Sequence, residues 1–164
     1  MGVSGVGKST VGRALHRRLG WVYAEGDDFH SPANVAKMSS GVPLTDDDRW
    51  PWLASIATWI GQQESLGRNC IVTCSALRQS YRDVLRSGHP STWFLHLVAP
   101  RSRIAERLAR RKGHFMPPSL LDSQLDQLDG LSPTEPGATI ENSGLTAQTV
   151  AEICALLAED GRLS

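Results

Sequence analysis

The sequence predicts a three-layer α/β/α fold, in which helices cover both faces of a parallel sheet. Two observations lead to this prediction. Short apolar runs alternate with longer stretches of helical period along the 164 residues, as in chains whose strands are joined by crossover helices. The chain also opens with a glycine-rich segment that leads directly into the first helical stretch. We find no internal repeat, low-complexity tract or interdomain linker, so a single domain over residues 1–164 is expected.

The glycine-rich segment matches the phosphate-binding loop pattern G-x-x-x-x-G-K-S. Glycine has no Cβ, so the backbone N–H groups of such a loop can wrap closely around phosphate oxygens. Lys8 is placed to bridge the β- and γ-phosphates of ATP, and Ser9 to bind the Mg²⁺ that accompanies the nucleotide. The predicted ATP-binding residues of the loop are Gly2, Val3, Ser4, Gly5, Val6, Gly7, Lys8, Ser9 and Thr10.

The residues after the loop favour this interpretation over a glycine-rich turn that only resembles the motif. Val11, Ala14, Leu15 and Leu19 are spaced as in a helix, so the loop opens onto a helix N-terminus, where anions are favoured. The predicted fold class is therefore that of the P-loop NTPases.

A phosphate-binding loop normally follows a buried parallel strand, and Met1 leaves no room for one. We expect the first strand to be largely missing, through a late start or the loss of about five apolar residues, rather than absent by design. Such a chain would expose the edges of neighbouring strands. We therefore expect it to be less stable than an extended form.

Four short apolar runs are candidate strands. They span residues 21–24, 70–74, 93–98 and, more weakly, 139–141. Apolar stripes of helical spacing lie between and after them. The residues of these stripes are Leu53, Ile56, Ala57 and Ile60, then Ile104, Ala105 and Leu108, and finally Val150, Ile153, Cys154 and Leu157.

The composition excludes several classes of protein. The 17 Lys and Arg residues balance 17 Asp and Glu residues, so no overall field favours nucleic acid or an anionic membrane. The sequence has neither a secretory signal nor an apolar run of membrane-spanning length, and the cytoplasm is the predicted location. Cys70, Cys74 and Cys154 form no C-x-x-C pair, and we interpret them as small core residues.

An acidic cluster follows the candidate strand at 21–24. Ligands of open α/β sheets bind beyond the carboxyl ends of the strands, where Glu25 and Asp27 are expected to lie. We interpret Asp27 as the base that accepts a proton from a substrate hydroxyl, and Glu25 as the carboxylate that holds water on Mg²⁺. Asp28 leaves this assignment ambiguous, because one of the three acids could simply cap a turn.

The segment from about 29 to 52 has no strand character, and in small-molecule kinases such an insertion holds the phosphate acceptor. It contains His30, three consecutive aspartates at 46–48, and Arg49. Pro51 lacks an N–H and favours a first helical turn, so at least one of the aspartates is expected to cap a helix. Arg49 can be interpreted in two ways: as a structural partner of these acids, or as a two-point hydrogen-bond donor to a substrate carboxylate.

Five sequence blocks, in order and at compatible spacing, resemble bacterial gluconokinases of the shikimate-kinase-like group. The blocks are M-G-V-S-G-x-G-K-S-T, E-G-D-D-F-H, K-M-S-S-G-x-P-L-T-D-D-D-R-x-P-W-L, C-S-A-L-R-x-x-Y-R-D-x-L-R and R-K-G-H-F-M-P. The resemblance covers residues 1 to about 128 and is weaker onward. That family transfers the γ-phosphoryl group of ATP to the 6-hydroxyl of D-gluconate, and the resemblance implies this activity here.

The resemblance also implies roles for individual side chains. Asp27 would orient and deprotonate the acceptor hydroxyl, and three residues would contact the hydroxyls and carboxylate of gluconate. These three are His30, Arg49 and Arg82. A sugar acid requires at least one cationic partner, which the arginines can supply, although surface salt bridges are the rival explanation.

The family pattern further implies a lid near residues 107–118, from which Arg111 or Lys112 would reach the phosphates on closure. A basic run of this kind is otherwise a solvated helix face. Ser75 stands where many P-loop enzymes have an acid, so Mg²⁺ would depend on Ser9, the phosphates and water held by the acidic cluster. The family also places an adenine-facing loop near 141–144 and suggests a homodimer.

Two rival interpretations stay open. A kinase of the same architecture could act on shikimate or a nucleoside monophosphate, although residues 46–52 argue against this. From a different class, the chain could be a module that binds ATP without transferring phosphate. The predicted partners are ATP, Mg²⁺ and D-gluconate, with no nucleic acid and no membrane.

Overall fold

The structure is a computed structural model that describes residues 1–110 and 118–163. Within these ranges, seven α-helices and four β-strands alternate along the chain. The helices are α1 (Lys8–Leu19), α2 (Pro32–Ser39), α3 (Asp46–Ser65), α4 (Gln79–Arg86), α5 (Arg101–Ala109), α6 (Pro118–Asp126) and α7 (Thr146–Glu159). The strands are β1 (Val22–Glu25), β2 (Cys70–Thr73), β3 (Phe94–Val98) and β4 (Gly137–Glu141).

The strands form two parallel pairs. β1 pairs with β2, with Val22 opposite Cys70, and β3 pairs with β4, with Phe94 opposite Gly137. All four predicted strands are therefore confirmed, each end within two residues of its predicted place. Parallel pairing requires a crossover between partners, and α2 and α3 supply it for the first pair while α5 and α6 supply it for the second.

Met1 and Gly2 lie between the two strand pairs. The Met1 amine donates to the Leu95 carbonyl at 2.5 Å, and the Leu97 N–H donates to the Met1 carbonyl at 3.0 Å. On the other side, the Gly2 N–H donates to the Ser75 carbonyl at 3.1 Å. A cavity of about 490 Å³ continues from Met1 between β2 and β3. The cavity occupies the place predicted for a strand ahead of the phosphate loop.

Helices cover both faces of the strands, as predicted. α1 packs against β1, β2 and α7, while α3 packs against β2 and α4. The side chains divide accordingly into two cores, because alternate strand residues point to opposite faces. Leu97 and Ile140 belong to the core beneath α1 and α7, and Phe94 belongs to the core beneath α3 and α4.

Over the described residues, no helix combines the length and the apolar character that crossing a membrane would require.

Candidate active site

The amino-terminal loop has the backbone conformation that a phosphate cradle needs. Gly2, Gly5 and Gly7 have φ angles of 131°, 80° and 107°, in the left-handed region that side chains disfavour. Helix α1 then begins at Lys8, so its first N–H groups point into the loop without intrahelical acceptors. The side chains of Val3 and Val6 are buried in the core, which leaves only their backbone to face a ligand.

Lys8 folds back over this loop. Its Nζ donates to the carbonyls of Gly2 and Val3 at 2.9 and 3.0 Å. The ammonium group is therefore held above the cradle by loop backbone. A bound triphosphate would offer it charged oxygens in place of these neutral carbonyls, and charge-assisted hydrogen bonds are the stronger kind.

The two residues predicted to serve Mg²⁺ are in direct contact. The Ser9 hydroxyl donates to Glu25 Oε2 at 3.0 Å, and Thr73 and Arg13 donate to the same carboxylate at 2.5 and 2.9 Å. Partial burial alone would raise the pKa of Glu25, but the hydrogen bonds from Thr73 and Ser9 hold it below the usual value. Glu25 is thus an ionised carboxylate beside a hydroxyl, and such hard oxygen donors suit Mg²⁺.

Asp27 lies just beyond the end of β1, in a short 3-10 helix over Gly26–Phe29. Gly26 permits this turn to approach β2, since a Cβ there would stand 2.2 Å from the Thr73 carbonyl oxygen. The Gly2 N–H donates to the Ser75 carbonyl at 3.1 Å, and the turn that carries Asp27 packs against Thr73, so both meet the end of β2 around the buried Cys74. The cradle and the candidate base therefore lie at the same carboxyl edge of the strands. Cys74 itself is neutral, because burial raises its pKa to about 11.

His30 lies close to both Asp27 and Arg49. Its ring stacks on buried Trp52 with centroids 4.3 Å apart, and Trp52 Nε1 donates to the Gly26 carbonyl at 2.7 Å. Burial lowers the pKa of His30, Arg49 lowers it further and Asp27 opposes the shift. The buried Nδ1 of His30 has no hydrogen-bond partner among the described residues, so the neutral ring keeps one unpaired polar atom.

The aspartates at 46–48 have separate roles. Helix α3 begins at Asp46, and Asp48 closes a capping box with Thr45. This confirms the expectation that at least one of the three acids caps a helix. Pro51 lies in the second turn rather than the first. Arg49 Nη1 donates to Asp46 Oδ1 and to the Tyr81 hydroxyl, both at 3.2 Å, so the structural interpretation of Arg49 holds in part.

The Arg82 side chain is held inside the protein, and its predicted contact with the gluconate carboxylate stays a prediction. Its side chain is fully buried and forms a two-point ion pair with Glu135 at 2.5 and 2.9 Å. It also donates to four carbonyl oxygens, those of Ala76, Leu77, Asp129 and Gly130. A guanidinium has five N–H groups, so none is left for a substrate. Arg82 instead joins the turn after β2 to the segment before β4.

Sequence reasoning missed two side chains that support the loop. Asn142 Nδ2 donates to the Val6 carbonyl at 2.7 Å, and Arg107 donates to the same carbonyl at 3.0 Å and to the Asn142 carbonyl at 2.8 Å. A Cβ on Gly7 would stand 2.4 Å from Asn142 Nδ2. Asn142 belongs to the segment near 141–144 that the resemblance predicted to face adenine, and Arg107 begins the predicted lid, but neither was predicted to support the loop. Arg111 and most of the predicted lid lie outside the described residues.

Comparison with known proteins agrees with this arrangement. A family model described as an AAA domain matches residues 1–131. Gluconokinase from Gluconobacter oxydans (strain 621H) is 52% identical over 136 residues, which cover 83% of this chain and 76% of that protein.

Two solved structures are also similar along nearly the whole chain. A gluconokinase from Sinorhizobium meliloti 1021 has a TM-score of 0.87 and 44% identity, covering 97% of this chain and 89% of its own. An unliganded sugar kinase from Janibacter sp. HTCC2649 has a TM-score of 0.90 and 47% identity, covering 96% and 91%. The glycine cradle, the carboxyl-edge aspartate and these matches lead to one conclusion: the chain belongs to the gluconokinase family of P-loop kinases.

Proposed function

We propose that this chain transfers the γ-phosphoryl group of ATP to the 6-hydroxyl of D-gluconate. One observation carries the proposal beyond family membership. The glycine cradle and Lys8 lie at the same sheet edge as Asp27, because the cradle and the turn that carries Asp27 both contact the end of β2. A nucleotide site next to a carboxylate is what transfer to an alcohol requires.

The nucleotide would be held by the backbone of residues 2–10 and by Lys8. In-line displacement forms a bond between the gluconate O6 and the γ-phosphorus and breaks the bond to the leaving ADP oxygen. Ser9 and the ionised Glu25 would hold Mg²⁺, directly or through water, and that ion would neutralise phosphate charge. Lys8 would stabilise the phosphoryl oxygens as negative charge shifts toward ADP.

Gluconate would lie over Asp27, His30 and Arg49. The Asp27 carboxylate is exposed and can accept the proton that leaves the 6-hydroxyl. The half-buried His30 ring can hydrogen-bond a sugar hydroxyl, and Arg49 supplies positive charge for the carboxylate. The buried Arg82 is not included in this proposal. Closure by Arg111, homodimerisation and a cytoplasmic location remain predictions.

The test is ADP release with D-gluconate, shikimate and AMP as separate acceptors, with the phosphorylated carbon of the product located by NMR. We expect release with gluconate alone and phosphate on C6. Lys8→Ala should lower the turnover number at least a hundredfold while the melting temperature stays close to that of the unsubstituted chain. Gluconate-independent ADP release, or release with another acceptor, would contradict the proposed substrate.

A matched pair of variants tests the base. Asp27→Asn should lower the turnover number by a factor of about 10² to 10⁴ with little change in gluconate binding, because it removes only the proton acceptor. Asp28→Asn makes the same change one residue away and should keep most of the activity. The opposite pattern would assign the base to Asp28.

A further inference from the structure

The burial of Arg82 leaves the sugar-acid carboxylate with one predicted arginine instead of two. A second arginine is nevertheless present beside Arg49. Arg78, the residue directly before α4, reaches the same carboxylate that Arg49 binds, that of Asp46. Its side chain is 41% exposed, whereas that of Arg82 is wholly buried.

Two side chains, Asp46 and Tyr81, fix the geometry of this pair. Arg78 Nη1 donates to Asp46 Oδ2 at 3.0 Å, while Arg49 Nη1 donates to Oδ1 at 3.2 Å. The Tyr81 hydroxyl donates to Oδ1 at 2.6 Å, and both guanidinium carbons lie over its ring, 5.7 and 5.8 Å from the centroid. The two cations are thus oriented by one carboxylate and one aromatic face before any substrate arrives.

The charges at this cluster do not cancel. Two guanidinium groups face a single carboxylate, which leaves one net positive charge at a partly exposed position. Arg78 uses one N–H in hydrogen bonds to the described residues, and Arg49 uses one nitrogen, Nη1. The remaining donors of two neighbouring guanidiniums match the oxygens of a second carboxylate.

The cluster of Arg49, Arg78, Asp46 and Tyr81 also lies near Asp27, the proposed base. The His30 ring stacks on Trp52, which lies one helical turn after Arg49 in α3. Trp52 also donates to the carbonyl of Gly26, the residue before Asp27, so His30 lies near the base and near the arginine pair at once. In gluconate, the carboxylate and the 6-hydroxyl are at opposite ends of the carbon chain. A molecule whose hydroxyl end meets Asp27 and whose middle meets His30 would bring its carboxylate to the arginines.

We propose that Arg78 is a substrate-binding residue that, together with Arg49, holds the carboxylate of the sugar acid, while Asp46 and Tyr81 keep the two guanidiniums in place. This inference rests on the proposed function. It differs from the family-based expectation, which gives that role to Arg82.

The experiment compares steady-state kinetics of Arg78→Met with those of Arg86→Met, an exposed arginine at the end of the same helix. Arg78→Met should raise the KM for gluconate about tenfold to a hundredfold, the loss expected for a charge-assisted hydrogen bond. Its KM for ATP and its melting temperature should stay near the unsubstituted values. Arg78→Lys should recover part of the loss, and Arg86→Met should change nothing.

Asp46→Asn separates substrate binding from a purely structural role. If Arg78 served only as a partner of Asp46, removing either member would have the same effect on KM. We expect Asp46→Asn to raise the KM for gluconate by a smaller factor than Arg78→Met, because it loosens the two guanidiniums but keeps both positive charges. An Arg78→Met KM within twofold of the unsubstituted value, or an equal rise in Asp46→Asn, would overturn the inference. Absence of gluconate-dependent ADP release in the unsubstituted chain would instead refute the proposed function.

Discussion

Replacing Arg82 with Met separates the structural role of this residue from the substrate-binding role that its sequence block suggests. Methionine is close to the aliphatic part of arginine in length, but it brings no charge and no N–H donor. The substitution leaves the Glu135 carboxylate, 6% exposed, without its cation. It also removes the donors to four backbone carbonyls.

The expected cost follows from this environment. Removing one member of a buried ion pair destabilises proteins by about 3–5 kcal/mol, because the remaining charge is left without a partner. In a chain of this size, each 1 kcal/mol lowers the melting temperature by about 2–4 °C. We therefore expect Arg82→Met to melt about 6–20 °C below the unsubstituted chain. Urea unfolding should give a lower midpoint with an unchanged slope.

A second variant isolates the pair itself. Arg82→Met combined with Glu135→Leu removes both charges, and such double replacements are often close to neutral. The double variant should therefore be more stable than Arg82→Met alone. Arg86→Met changes an exposed arginine of the same helix and should have the same melting temperature as the unsubstituted chain. A melting temperature within about 2 °C of the unsubstituted one, together with a raised KM for gluconate, would refute the structural role and restore the substrate contact.

Three further predictions concern the phosphate loop, the buried His96 and the cavity between β2 and β3. Asn142→Ala should raise the KM for ATP about tenfold in steady-state assays, since the amide that fixes the Val6 carbonyl is lost; an unchanged KM would count against this support. Burial, together with the charges of the terminal amine and Arg82, lowers the pKa of His96 from 6.5 to about 4. The stability that the neutral His96 contributes is therefore present above pH 6.5 and is lost as the pH falls toward 4. His96→Phe should therefore lose less stability between pH 7 and 5 in urea unfolding, and an identical pH dependence would contradict the assignment. Five apolar residues placed ahead of Met1 should fill the cavity between β2 and β3 and raise the melting temperature. The control is a chain with five Gly and Ser residues at the same place. Equal melting temperatures of the two chains would show that no strand forms.

Much of the fold could be predicted because its signals are local. Each strand is a short apolar run, and its ends fell within two residues of the predicted ones. The predicted apolar stripes lie in α1, α3, α5 and α7. The adjacency of Ser9 and Glu25 followed from a general rule, that parallel strands gather their carboxyl ends at one edge.

The arginines show where sequence reasoning stops. Arg78 and Arg82 are four residues apart, in the same sequence block, and nothing in their local pattern says which one faces the core. The answer depends on Glu135, 53 positions away from Arg82, and on Asp46, 32 positions away from Arg78. A charged side chain is buried only where such a distant partner meets it.

The sequence by itself determined the phosphate loop, the order of strands and helices, and the family, because each is written in contiguous residues whose spacing sets backbone conformation. Only the tertiary structure decided that Arg82 is buried while Arg78 is partly exposed, and that Asn142 supports the loop from 136 positions away along the chain. These contacts join segments that meet only after folding. Burial and hydrogen bonding then assign roles that residue type alone leaves open.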